Sequence, residues 1–166
     1  MSKTSSLVLL SVATLLFSGC AMDSVSYNNA VVDHVTEIST AWDNAYNAYL
    51  EGVPQDVYAD STIDLARMQT AYDELSPLID QIETDLLTLE SADSEQQVSV
   101  EGALIYFQMS AQDYLVVYQE ILDYYAGDFG SDLDKVAELD TKLYDADDIW
   151  VDAHNALGDV LDSTAY

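Results

Sequence analysis

Four apolar stripes, in which apolar residues recur alternately three and four positions apart, constrain the fold of this chain most strongly. They run from Val31 to Tyr49, from Leu65 to Leu89, from Val100 to Tyr125 and from Val136 to Val160. This spacing places side chains on one face of an α-helix, whereas a half-buried strand would alternate by two. Four amphipathic helices of similar length bury their stripes against one another. The sequence therefore predicts an all-α fold, an up-down-up-down antiparallel four-helix bundle.

Turn residues and the ends of the stripes set the predicted helix bounds at about 30–51, 56–90, 94–125 and 132–162. Pro77 falls inside the second helix. Proline kinks or breaks a helix, but the apolar phase continues across Pro77 and favours a kink over a restart with proline at the first helical position. Before the fourth helix, Ser131 is the predicted N-cap because its hydroxyl can accept from a first-turn amide.

The N-terminal segment has the layout of a secretory signal. Lys3 precedes an apolar run of 11 residues over 7–17, which is shorter than the roughly 20 residues of a membrane span. Ser18 and Gly19 follow, and then comes Cys20, the one cysteine of the chain. The alternatives are a plain signal peptide or a buried free thiol, since Cys20 has no disulfide partner within the chain.

This small pair before Cys20 resembles the bacterial lipobox, although Phe17 stands where leucine is usual. The resemblance implies a cleaved signal peptide over 1–19 and a Cys20 that carries thioether-linked diacylglycerol and an N-acyl chain. A lipidated tether over 20–29 and one helical domain over 30–166 would follow. Ala21, in place of aspartate, favours an outer-membrane anchor with the domain facing the periplasm.

The charge of the chain is extreme, with 31 acidic residues against four basic ones. Loss of Lys3 with the signal peptide would leave three basic residues and a net charge of −28. Such a surface repels nucleic acid and anionic lipid headgroups, so nucleic-acid binding is excluded and membrane attachment has to come from acyl chains. The acidity fits solvation in salty water, where charges are screened, or a polyanionic surface for cations or basic partners.

Two stretches carry a family likeness. Residues 42–49 read WDNAYNAY, and residues 122–125 read LDYY before an acidic loop and the fourth stripe. Together they resemble the YiiG-like bacterial lipoproteins, whose activity is uncharacterised. The resemblance implies a lipid-anchored helical domain and supplies no catalytic residues or cofactor.

Few residues suggest chemistry. A di-iron bundle needs Glu-x-x-His twice, and valine precedes both His34 and His154 by three positions. We therefore expect both histidines to lie at the edges of the apolar stripes. The loop 128–134 alternates oxygen-bearing side chains but lacks the distant glutamate of an EF-hand. A capped inter-helix loop is favoured there, with calcium binding as the alternative.

The chain also lacks a Gly-x-Ser-x-Gly turn and a phosphate-cradling glycine loop. We therefore expect a non-enzymatic envelope protein without cofactors, with a structural or interaction role and an unknown protein partner. The first alternative is a small-ligand module with an aromatic interior, in which Tyr114, Tyr118 and Trp150 are the candidate ligand-binding residues. The second is calcium binding by the acidic surface, including the aspartates of the segment 145–152.

Overall fold

A computed structural model describes residues 21–53, 63–127 and 132–164. The predicted signal peptide and Cys20 lie outside these ranges. Four α-helices make up the described chain: α1 is Ser24–Gly52, α2 is Leu65–Gln81, α3 is Ser94–Gly127 and α4 is Leu133–Ser163. A π-helical turn, Ile82–Leu86, continues from the end of α2.

α1 begins at Ser24, ahead of the predicted start at residue 30. Asp23 caps it, since its carboxylate accepts hydrogen bonds from the Ser26 amide at 3.0 Å and the Ser26 hydroxyl at 2.9 Å. The first turns then carry Tyr27 and Asn28 into the core. The predicted tether over 20–29 is therefore wrong for residues 24–29, which belong to the bundle.

The second predicted helix, 56–90, is divided between α2 and the π-helical turn. α2 continues through Pro77, so the helix does not restart there. The proline ring is exposed to solvent. In the π-helical turn the Leu87 amide donates to the carbonyl of Ile82, five residues earlier, at 3.0 Å. The predicted start of this helix falls within residues 54–62, which lie outside the described ranges.

α3 begins at Ser94, where the third helix is predicted to begin. It ends at Gly127, two residues beyond the predicted end. The N-cap of α4 is Asp132, whose carboxylate accepts from the Lys135 amide at 3.1 Å. The predicted cap, Ser131, is outside the described residues. Aspartate and serine perform the same chemistry at this position, because either side chain offers an oxygen to a first-turn amide.

Successive helices pack antiparallel, and side chains of α1 and α4 meet across the remaining side of the bundle. The predicted all-α four-helix bundle is therefore confirmed. All four predicted stripes contribute to one continuous core. Its largest fully buried side chains are aromatic, namely Trp42, Tyr27, Tyr114, Tyr118 and Phe107. Over the described ranges, no helix combines the length and apolarity needed to cross a bilayer.

Candidate functional site

An aromatic cluster fills the middle of the bundle, with Trp42 of α1 at its centre. The Trp42 ring stacks on Trp150 of α4 with a centroid separation of 4.0 Å and an interplanar angle of 5°. The centroid of the Tyr114 ring, from α3, lies 3.5 Å from that of Trp42. We define the aromatic cluster by its six members, Trp42, Phe107, Tyr114, Tyr118, Trp150 and His154.

The three predicted ligand-binding residues all lie in this cluster. Tyr114 and Tyr118 are fully buried, with ring centroids 5.8 Å apart, and Trp150 is 5% exposed. Their apolar surfaces are covered by neighbouring rings. The structure thus brings together the predicted residues, in an arrangement typical of an aromatic core.

Polar atoms within the cluster differ in how they are satisfied. The Tyr118 hydroxyl donates to the Ala45 carbonyl at 3.0 Å. The Tyr114 hydroxyl and the Trp150 indole nitrogen are buried and have no hydrogen-bond partner among the described residues. Burial raises the pKa of the Tyr114 phenol, with smaller contributions from neighbours that include Tyr118 and Asp147. The Tyr114 hydroxyl is therefore a neutral donor and acceptor at physiological pH.

Asp147 is the one member of the aspartate group on α4 that turns towards the core. It is half-buried and accepts a hydrogen bond from the Trp42 indole nitrogen at 3.0 Å. Burial raises the pKa of Asp147, and the bond from Trp42 opposes that shift. Asp145, Asp148 and Asp152 are exposed, so their carboxylates face solvent.

Two grooves among the described residues were candidates for a ligand site. The larger, of about 570 Å³, lies open between α1 and α2. Its lining is mostly polar and includes Asn44, Asn47, Glu51 and Arg67. The smaller holds only about 10 Å³, roughly one water, beside His34 and the π-helical turn. Neither groove is lined by Tyr114, Tyr118 or Trp150.

Near the N-terminal end of α1, a buried polar network joins three helices and a loop. The Gln96 amide nitrogen donates to Asn28 Oδ1 at 2.8 Å, and the Ser91 hydroxyl donates to Gln96 Oε1 at 2.6 Å. The Asn28 amide nitrogen donates to the Leu161 carbonyl at 3.1 Å and to the Thr164 hydroxyl at 3.3 Å. We define the polar network as Asn28, Ser91, Gln96 and Thr164.

The chain segment just before α1 is fixed to this same end. Met22 donates through its amide to the Glu90 carbonyl at 2.7 Å and accepts from the Ala92 amide at 2.7 Å. These bonds form an isolated parallel bridge between Met22 and Ser91. The backbone is therefore held in place two residues after Cys20.

Each cationic lysine or arginine side chain in the described ranges is paired with a carboxylate. Lys135 and Lys142 share Glu120 and Glu138, and Arg67 pairs with Glu51. The bonds from the lysines lower the pKa of Glu120 and of Glu138. An anionic ligand would have to displace one of these carboxylates.

Both histidines are half-buried at the edge of the core, as predicted. His154 stacks on Trp150, with ring centroids 5.4 Å apart. In the acidic loop, residues 128–131 lie outside the described chain, and Asp132 serves as a helix cap. Within residues 21–53, 63–127 and 132–164, no three His, Cys, Asp or Glu side chains are grouped so that they could hold a metal ion.

Sequence reasoning missed the polar network and the contact of Asp147 with Trp42. The predicted tether includes Asn28, although the spacing of Tyr27 and Val31 continues the first stripe towards the N-terminus. Gln96 sits four residues before Val100, which extends the third stripe in the same way. Asp147 has no comparable signal, because its neighbours in the sequence are aspartates that face solvent.

Comparisons of the chain with protein-family models, with curated proteins and with solved structures find no match. The resemblance to YiiG-like lipoproteins therefore stays a prediction.

Proposed function

We propose that this protein is an envelope lipoprotein whose Cys20 is acylated after removal of residues 1–19. The acyl chains would anchor it to the outer membrane, with the acidic bundle in the periplasm in a non-enzymatic structural or interaction role. The observation that carries this proposal is the position of Cys20, which follows an apolar run of signal-peptide length and a small pair.

The position of the bundle relative to Cys20 supports the proposal. Met22 is bonded to the loop between α2 and α3, and Asp23 already caps α1. Two residue steps separate Cys20 from Met22, a reach of about 7 Å. An acylated Cys20 would therefore hold the polar-network end of the bundle close to the lipid headgroups, without a flexible spacer.

The charge of the domain makes a covalent anchor necessary for stable attachment. The proposed mature chain would carry a net charge of −28, and its lysines and arginine are paired with carboxylates in the described ranges. Such a surface is repelled by anionic headgroups. Acyl chains contribute about 0.8 kcal/mol for each buried CH₂, and two or more chains give stable anchoring.

The alternatives receive less support. A ligand in the aromatic interior would have to enter between rings whose centroids are 3.5 Å and 4.0 Å apart, at Trp42. Calcium binding would have to use exposed carboxylates, because the described residues contain no metal-holding group. Cation binding is tested by calorimetry with calcium, in which a saturable site would establish it.

The proposal is tested by replacing Cys20 with serine in a Gram-negative host. We expect the wild-type protein to be processed and to enter the detergent phase on Triton X-114 partition, whereas Cys20→Ser is neither acylated nor cleaved at residue 19. Ser18→Ala is the matched control, since it keeps a small residue before the cleavage site. Unchanged processing and partition of Cys20→Ser would contradict the proposal.

A further inference from the structure

α3 is apolar on two opposite faces. Its inner face supplies core residues such as Leu104 and Tyr114. Its outer face carries a second row of residues at spacings of four, three, four and seven, which we call the α3 stripe: Val98, Gly102, Ile105, Met109 and Val116. The four apolar side chains of the stripe are 46–70% exposed. The stripe is about 27 Å long, since each helical residue rises 1.5 Å.

The centre of the stripe is free of charge in a chain that has 31 acidic residues. No Asp, Glu, Lys or Arg occurs over 102–112, between Glu101 and Asp113. Tyr106, beside the stripe, is also 46% exposed. An apolar centre bounded by polar or charged residues is the usual anatomy of a protein interface, and exposed apolar patches of this kind mark interaction sites.

Gly102 lies within the stripe, and it shares its open surroundings with Gly158 of α4. An alanine side chain at this position would meet no atom within 4 Å, and the backbone is ordinary helix. Glycine in the middle of a helix is destabilising by about 0.5–1 kcal/mol relative to alanine. Packing inside the bundle therefore gives no reason for glycine here, whereas a helix approaching from outside would come closest where the side chain is missing.

We propose that the α3 stripe docks an amphipathic helix with basic flanks from a different protein. Charge complementarity selects this occupant: Glu101 and Asp113 bound the apolar centre, and a second copy of this chain would bring the same acids against them. Like charges facing each other across an interface disfavour the wrong partner, and opposite charges favour the right one. The acidic boundary disfavours an anionic membrane surface for the same reason.

This inference gives the interaction role of the proposed function a partner class, but it does not depend on acylation. It is tested in intact cells of the source organism with the full chain, by placing a photo-crosslinking amino acid at Met109. The matched control is the same substitution at Val32, which is 44% exposed on α1. Val32 belongs to a different helix from the α3 stripe.

We expect an adduct at position 109 whose crosslinked peptide, sequenced by mass spectrometry, has helical apolar spacing and flanking Lys or Arg residues. Ile105→Asp should lower its yield about tenfold or more, because a charge buried in an apolar interface is strongly disfavoured. Val32→Asp should leave the yield unchanged. Gly102→Ala should raise the unfolding temperature but lower the yield of the adduct. A glycine with a purely structural role would not combine these two effects.

Several results would overturn the inference: an adduct with a second copy of this chain, an adduct with lipid, a partner peptide without basic residues, or no adduct above the control at Val32. Membrane fractionation of the same cells separates this from the acylation proposal. Absence of the adduct in a membrane-retained protein rejects the docking surface alone. An adduct on a protein that stays outside the membrane fraction rejects acylation alone.

Discussion

The start of α1 and its middle lie in regions that are held together differently. At its start, the polar network satisfies buried amides and hydroxyls with partners on α1, α3, α4 and the α2–α3 loop. Further along, the aromatic cluster relies on ring packing around Trp42, and the Tyr114 hydroxyl has no hydrogen-bond partner in the described part of the chain. Hydrogen bonds are directional, whereas apolar packing tolerates shifts. We infer that the network fixes the end of the bundle that holds Met22, while ring packing around Trp42 contributes more to stability than the network does.

The largest effect is expected from Trp42→Ala. This change removes the central ring of the aromatic cluster and the donor to Asp147, so the free energy of unfolding should fall by about 3–5 kcal/mol. Tyr106→Ala, at an exposed position, is the control and should stay within about 0.5 kcal/mol of wild type. Urea denaturation followed by circular dichroism measures both, and equal losses would contradict the central role of Trp42.

A smaller loss is expected at the polar network. Gln96→Ala removes the donor to Asn28 Oδ1 and the acceptor of the Ser91 hydroxyl, both buried, which should lower the free energy of unfolding by about 2–3 kcal/mol. Gln119→Ala is the control, because the Gln119 side chain bonds to Asp123 one turn later on the same helix and such pairs contribute about 0.2–0.5 kcal/mol. If Gln96→Ala behaved like Gln119→Ala in urea denaturation, the network would have no structural importance.

Two phenylalanine substitutions sharpen the comparison within the cluster itself. Tyr118→Phe loses the bond to the Ala45 carbonyl and should lower the free energy of unfolding by about 1 kcal/mol. Tyr114→Phe removes a buried hydroxyl for which the described ranges offer no partner, and it should be neutral or slightly stabilising. Thermal unfolding of both variants measures the difference. A larger loss for Tyr114→Phe would mean that its hydroxyl has a partner in solution.

The smallest effect concerns the edge of the cluster. Burial raises the pKa of Asp147 in the folded state, so its charged form is unfavourable there and the penalty is present at neutral pH. Asp147→Asn should raise the unfolding temperature at pH 7 by about 1–2 °C after solvent screening is considered. The gain should shrink as pH falls through the raised pKa towards 3.8, where Asp147 becomes neutral itself.

Asp148→Asn is the matched control for this pH series, because Asp148 is exposed and the charge change is the same. Equal gains for the two variants at pH 7, with the same pH dependence, would show that overall charge repulsion causes the effect. Burial of Asp147 would then have no measurable role.

Most of the fold could be predicted because the three-and-four spacing of apolar residues recurs in all four helices. Each apolar stripe has several members, so the helix type and the buried face follow from periodicity alone. Trp42, Tyr114 and Trp150 lie in the core where the heptad spacing predicts them. The start of α1 could not be predicted in this way, because Asn28 is polar and its burial depends on Gln96, which is distant in sequence.

The candidate sites were harder to predict for a related reason. Periodicity correctly places Leu104 on the buried face of α3, but it did not draw attention to the second apolar row through Ile105, which the structure shows to be exposed. The hydrogen bond between Asp147 and Trp42 joins residues that are 105 positions apart. Local sequence rules have no access to such pairs. Cys20 is the opposite case, because its proposed acylation rests on a local sequence signal. The described bundle adds only the short chain distance between Cys20 and Met22.

The proposed acylation is tested most directly by mass spectrometry of the N-terminal peptide of the protein isolated from its membrane fraction. Cleavage before Asp23 should release a peptide of residues 20–22 that carries the mass of a diacylglyceryl group and an N-linked acyl chain on Cys20. An unmodified Cys20, or a peptide in which Ser18 and Gly19 are still attached to it, would contradict the account.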